Sequence, residues 1–221
     1  MKKRVFKMFR GFMFGMLVLP MVACEGDIIK DKEEEGATEK DDIFVQAIDL
    51  GLSVKWAEHN VGATKPEEFG GYYAWGEIEV KDVYNDESYK YYDNAKEEFI
   101  NIGSNISATA YDVAYVKWGK NWRMPTNKEI GELCNNCSWS WITVNGVSGY
   151  QVTGPNGNSI FLPAAGNCYD AEVYDSGSVG CYWSGTSYDE DDADYFAFEE
   201  GDWWWDDTER PCGFSVRPVT E

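Results

Sequence analysis

Trp203, Trp204 and Trp205 stand in a row, with Glu199, Glu200 and Asp202 before them and Asp206 and Asp207 after them. An indole beside carboxylates suits a sugar ring: the indole covers the apolar face of the sugar and the acids accept its hydroxyl hydrogens. Neighbouring residues of a strand point to opposite faces, so at least one of the three indoles is expected to face away from the core. The plainer alternative is an edge strand whose aromatic lies on a neighbouring loop. Trp203, Trp204, Trp205, Asp206 and Asp207 are therefore the candidate ligand-binding residues.

The second acidic cluster is the run 189–194. Asp189, Asp191, Asp192 and Asp194 could hold calcium, which takes about six to eight hard oxygens. No EF-hand spacing accompanies them, and a solvated acidic loop is the alternative. No other cofactor is expected. Catalysis finds little to work with. His59 is the single histidine, which excludes every mechanism built on two. The Gly-x-Ser-x-Gly elbow of hydrolases is absent, and the carboxylates are too many for a glycosidase pair to stand out. An enzyme is therefore the least favoured reading.

Cysteine usage suits an oxidising compartment. Beyond Cys24 there are Cys134, Cys137, Cys168, Cys181 and Cys212, an odd number, so at least one is unpaired within the chain. A bridge between two of Cys168, Cys181 and Cys212 is expected. Cys134 and Cys137 resemble half a zinc site without the other half. Arg123 and Arg217 are expected to be structural, each pairing with a carboxylate rather than gripping an anionic ligand. Trp56, Trp75, Trp118, Trp122 and Trp183 are expected in the packing.

The rest of the chain must position these residues. The 221 residues carry 19 Lys+Arg against 39 Asp+Glu, a net charge of −20. That argues against a nucleic-acid partner. Residues 1–24 differ from the rest. Lys2, Lys3, Arg4, Lys7 and Arg10 precede the apolar run 11–23, which is too short to span a bilayer, for which about 20 residues are needed. This fits an export signal. Its end, Met21-Val22-Ala23-Cys24, resembles a bacterial lipobox, which implies lipidation at Cys24 and a membrane contact through the anchor alone. An ordinary secretory signal is the alternative. Loss of those five basic residues leaves 14 Lys+Arg against 39 Asp+Glu, a charge of −25. Residues 25–43 read as an acidic tether. The stretch after the Cys resembles the surface-export signals of Bacteroidota lipoproteins.

Residues 44–221 read as one α+β domain with two helices and many short strands. The first helix is expected over 110–118, capped by Thr109. The second starts at the capping box Thr126-Asn127-Lys128-Glu129. Asn145-Gly146 between alternating segments 141–144 and 149–153 predicts a hairpin. Further strands are expected at 47–50, 54–57, 72–75, 159–162, 182–184, 195–198, 203–205 and 214–216.

Several motifs, in order, carry a resemblance. They are Asp49-Leu50-Gly51-Leu52-Ser53-Val54-Lys55-Trp56-Ala57, Asn60-Val61-Gly62-Ala63 and Tyr73-Ala74-Trp75-Gly76-Glu77. With them go Trp122-Arg123-Met124-Pro125-Thr126, Phe161-Leu162-Pro163-Ala164-Ala165-Gly166, Tyr182-Trp183-Ser184-Gly185-Thr186 and Gly213-Phe214-Ser215-Val216-Arg217-Pro218-Val219. From about Val45 onward the chain resembles the Fibrobacter succinogenes major paralogous domain family. That resemblance implies a C-type-lectin-like fold, with display loops late in the chain. It also implies kinship with formylglycine-generating enzymes, but their paired-Cys copper site is not matched, since Cys212 stands alone. The expected function is non-catalytic binding of a glycan or a protein, on a lipoprotein of the outer membrane facing the cell exterior. A structural or accessory envelope lipoprotein is the alternative.

Overall fold

The computed structural model describes residues 45–119 and 121–221. Cys24, the leader 1–24 and the tether 25–43 lie outside the described residues. Within them the fold is α+β, with two short helices and many short antiparallel strands.

The hydrogen-bonded framework has three main sheets. In the first, β2 (Lys55–Ala57) lies between β1 (Ala47–Ile48) and β13 (Val219–Thr220), so the two ends of the domain close on each other. The second is a meander of β5 (Ser138–Val144), β6 (Val147–Thr153) and β7 (Ser159–Pro163). Its first turn is Asn145-Gly146, as the sequence predicts. Both residues have positive φ, 51° and 88°, the conformation that matches the twist of a two-residue hairpin. The third is β10 (Val179–Ser187), β11 (Asp192–Glu199) and β12 (Asp202–Glu209), in that order, with β12 at an edge. Two small ribbons, β3 (Tyr92–Asp93) with β4 (Glu98–Phe99) and β8 (Asn167–Tyr169) with β9 (Glu172–Tyr174), sit on the irregular parts of the chain.

Helix α2 (Asn127–Asn136) begins at the expected capping box. Glu129 N donates to Thr126 Oγ1 at 3.4 Å, and the Glu129 carboxylate accepts from Thr126 N at 2.8 Å. Helix α1 differs from expectation. It spans Val113–Trp118 and its cap is Asp112, not Thr109. Asp112 Oδ1 accepts from the N–H groups of Ala114 and Tyr115, and Oδ2 from those of Ala108 and Met124. One buried carboxylate thus satisfies four donors, which a Thr hydroxyl cannot do. Thr109 instead donates to the Ile106 carbonyl at 2.7 Å. The strands expected at 72–75 and 214–216 reduce to single bridges. Phe214 bonds to Tyr73 on one side and Ser215 to Cys181 and Trp183 on the other, so no ladder builds.

The core explains the aromatic richness. Alternate residues of β10 and β11 point to opposite faces, and both faces are buried. Cys181, Trp183, Ala193 and Ala197 join one cluster, with Val61, Trp75, Val113 and Met124. Tyr182, Phe196 and Phe198 join another, with Leu50, Trp56, α2 and the inner side of β5–β7. An antiparallel sheet usually keeps one wet face, and its strands then alternate polar with apolar. Here Gly180–Gly185 is buried throughout, and the sequence reads as an unbroken run. Gly180 lies across from Phe198, and an added Cβ would meet that ring.

The two arginines divide the expectation between them. Arg123 pairs with Glu129 through two bonds, 2.8 and 2.6 Å, and with Glu221 at 3.1 Å. Arg217 has no such carboxylate partner. It is 1% exposed and gives its N–H groups to Asn60 Oδ1 (2.8 Å) and the carbonyls of Ala57 (3.2 Å), Glu58 (3.2 Å) and Phe161 (2.9 Å). Burial pulls its pKa down to about 10. Three carbonyls and an amide are neutral acceptors, yet they occupy the guanidinium fork and tie β2 to β7.

The expected bridge among Cys168, Cys181 and Cys212 is not formed, and all five described cysteines are free thiols. Burial pushes the thiols of Cys134 and Cys212 up to about 12 and that of Cys168 up to about 11. Such thiols are packing groups rather than nucleophiles.

Candidate acidic and aromatic binding surface

The β11–β12 hairpin brings both sequence-predicted sites onto one element. Its register pairs Phe198 with Trp203, Ala197 with Trp204, Phe196 with Trp205, Asp194 with Asp207 and Asp192 with Glu209. Residues directly opposite share a face. One face therefore runs from Phe198 and Trp203 through Phe196 and Trp205 to the four acids Asp194, Asp207, Asp192 and Glu209.

The expectation of an indole turned away from the core is not met. Trp203, Trp204 and Trp205 are all half-buried. Trp203 and Trp205 lie against Phe196, with ring centroids at 6.2 and 5.7 Å, in the cluster that includes α2. Trp204 packs on the opposite cluster. The reasoning from alternation presumes one core, whereas this sheet has a core on each side. Asp206 and Asp207 follow on the same edge strand. Asp202 and Asp206 turn back on their own backbone: Trp203 N donates to Asp202 Oδ1 at 2.9 Å and Asp207 N to Asp206 Oδ1 at 3.1 Å. The edge strand thereby satisfies N–H groups of its own, which discourages pairing with another chain.

The open end of the hairpin holds the aspartates considered for calcium. Asp189 Oδ1 accepts from the N–H groups of Asp191 and Asp192, both at 2.9 Å. Asp194 accepts from Asn127 Nδ2 of α2 at 2.5 Å. Among the described residues, no group of three or more acids, cysteines or histidines is placed to hold a metal ion. Burial, together with the charges of Asp189, Asp207, Glu209 and Asp191, holds the Asp192 carboxyl up at about 6. Beneath this loop lies Arg210, which sequence reasoning did not single out. It is 2% exposed, stacks over Trp75 at 4.8 Å and donates to the Asp189 carbonyl at 2.6 Å. Burial pulls its pKa down while Tyr89 and the loop aspartates oppose that.

The turn end differs. Glu200-Gly201 makes the turn, with Gly201 at φ 90°. Tyr150 of β6 clamps it: its hydroxyl donates to the Glu199 carbonyl at 3.1 Å and accepts from Gly201 N at 2.9 Å. Beside it opens a cleft of about 370 Å³, lined by Trp141, Ser148, Gly177, Ser178, Glu199 and Glu200. Trp141 is half-buried, set edge-to-face with Tyr150 and Phe198 at 5.0 and 6.2 Å. A second cleft, of about 360 Å³, lies on the other face of β5–β7, where Ile142, Val144, Ile160 and Phe161 make it mostly apolar. Trp141 carries no local signature of a site, because its partners come from three distant segments. The available signal was the spacing of Trp139 and Trp141, which puts two indoles on one face of a strand.

His59 is buried, edge-on to Trp118 at 5.2 Å, with Nδ1 3.1 Å from the Asn60 carbonyl oxygen. The single histidine is thus a packing residue. The fold defines a mixed α+β domain. Comparison with protein-family models, curated proteins and solved structures gives no match.

Proposed function

We propose that this chain is a surface-facing lipoprotein of the outer membrane, anchored through Cys24, whose C-type-lectin-like domain binds a glycan or a protein without catalysis. The observation that carries the reading is the concentration of carboxylates on one hairpin. Asp192, Asp194, Asp207 and Glu209 stand opposite one another on a single face. A run of acids along one hairpin gives a negative field that suits a polar ligand surface. The resemblance to the Fibrobacter succinogenes major paralogous domain family supports the same reading, since the hairpin lies late in the chain where such folds display their loops.

The full chain, purified in detergent, tests this by glycan-array and pull-down binding. The expected result is a saturable ligand that changes on the hairpin weaken. A chain that binds no glycan and no protein would favour an accessory envelope component instead. Palmitate incorporation that persists in Cys24→Ala would overturn the anchor.

A further inference from the structure

We propose that the cleft at the turn end of the β11–β12 hairpin, not the tryptophan row of β12, is the subsite for one neutral pyranose residue of a glycan. This rests on the reading of the domain as a binding module and names its ligand class. Four observations carry it. First, the volume of about 370 Å³ falls at the small end of ligand pockets, which run from about 300 to 1,000 Å³. Second, Trp141 supplies the one large aromatic surface of the lining, while Trp203 and Trp205 lie against Phe196 and do not line the cleft.

Third, the polar groups match hydroxyls in kind. The exposed Glu200 carboxylate can accept hydrogen bonds, and the Ser148 hydroxyl can donate and accept. The Ser178 hydroxyl already donates to the Asp175 carbonyl at 2.9 Å, which leaves its oxygen to accept. A ring of sugar hydroxyls needs this mixture. A lysine ammonium would need acceptors only, and the serines would add nothing for it. Among the described residues no Lys or Arg lines the cleft, so sialylated and sulfated sugars are disfavoured beside Glu200. Fourth, the walls are fixed before any ligand arrives. Tyr150 clamps the Glu199–Gly201 turn by two hydrogen bonds, and the Asp175 turn holds Ser178 through both its N–H (3.1 Å) and its hydroxyl. Fixed walls reduce the ordering cost of binding.

The test is an array of neutral, sialylated and sulfated oligosaccharides, with a lysine-rich peptide as competitor, probed with the full chain. Glu200→Gln and Ser178→Ala lie on the surface and keep the fold, and thermal melting checks Trp141→Phe and Trp141→Ala. The expected result is binding of neutral glycans, weakened tenfold or more by Glu200→Gln and by Trp141→Ala, and less by Trp141→Phe. Three results would overturn the subsite. Neutral-glycan binding unchanged in Glu200→Gln, Ser178→Ala and Trp141→Phe would leave the function standing but place the ligand elsewhere. Binding of the lysine-rich peptide alone would make the cleft a cation site. Absence of every ligand would remove the function as well.

Discussion

The two ends of the β11–β12 hairpin carry the same chemistry in opposite arrangements. At the open end, Asp189, Asp191, Asp192, Asp194, Asp207 and Glu209 crowd one patch. Asp189 serves its own loop and Asp194 serves Asn127. At the turn end there are only Glu199 and Glu200, but an indole and two hydroxyls surround them in a cleft. Charge density makes a field, whereas concavity with mixed donors and acceptors makes a ligand site. The tryptophan row, the candidate most visible in the sequence, is what the fold uses for its own packing.

The largest effect that bears on this contrast is Trp205→Ala. The ring packs on Phe196 in a half-buried site, so truncation is expected to destabilise by about 2–3 kcal/mol, below the full cost of a buried aromatic. Denaturant unfolding measures it. A loss under about 0.5 kcal/mol, the range of ordinary surface changes, would return Trp205 to the list of ligand platforms.

Glu129→Gln comes next and calibrates what a placed carboxylate does for the fold. Burial would raise the Glu129 pKa, but the Arg123 and Thr126 bonds outweigh it and hold it below the usual range. Removing one charge of this part-buried pair is expected to cost about 2 kcal/mol. Glu200→Gln at the exposed turn should cost under about 0.5 kcal/mol by the same assay.

Asp192→Asn should act in the opposite direction. The Asp192 pKa is raised from 3.8 to about 6, so the folded chain holds a proton that the unfolded chain releases. Stability is then greatest below the unfolded value and falls as pH rises through about 6. Solvent screening at this half-buried site reduces the effect to on the order of 1 kcal/mol. The variant is expected to be more stable than the parent at neutral pH and level with it at pH 4, in paired melts. A variant less stable at neutral pH would mean that the open end holds a structural cation after all. The smallest effect is that of millimolar calcium on the parent, expected to move the melting temperature by less than about 2 °C, against several degrees for a bound ion in large excess.

Local chemistry was legible in the sequence, and partnership across the chain was not. The Thr126–Glu129 capping box and the Asn145-Gly146 turn are each written within four residues, and both stand where expected. The α1 cap was misread because the merit of Asp112 lies in reaching Ala108 and Met124 as well as its own helix. The orientation of Trp203–Trp205 was misread because no local pattern tells a sheet with one core from a sheet with two. Arg217 resembles an ion-pair partner, but three of its four acceptors are backbone carbonyls, and these carry no sequence signature. The Trp141 cleft needs β5, the 175–178 turn and the β11–β12 turn together, a juxtaposition made only by the fold.

The most direct test reads the indole N–H resonances of the isotope-labelled full chain during titration with the oligosaccharide that the array shows to bind best. Saturable shifts are expected at the Trp141 indole, with those of Trp203, Trp204 and Trp205 unmoved. Shifts confined to the β12 indoles, with Trp141 unmoved, would contradict the subsite at Trp141.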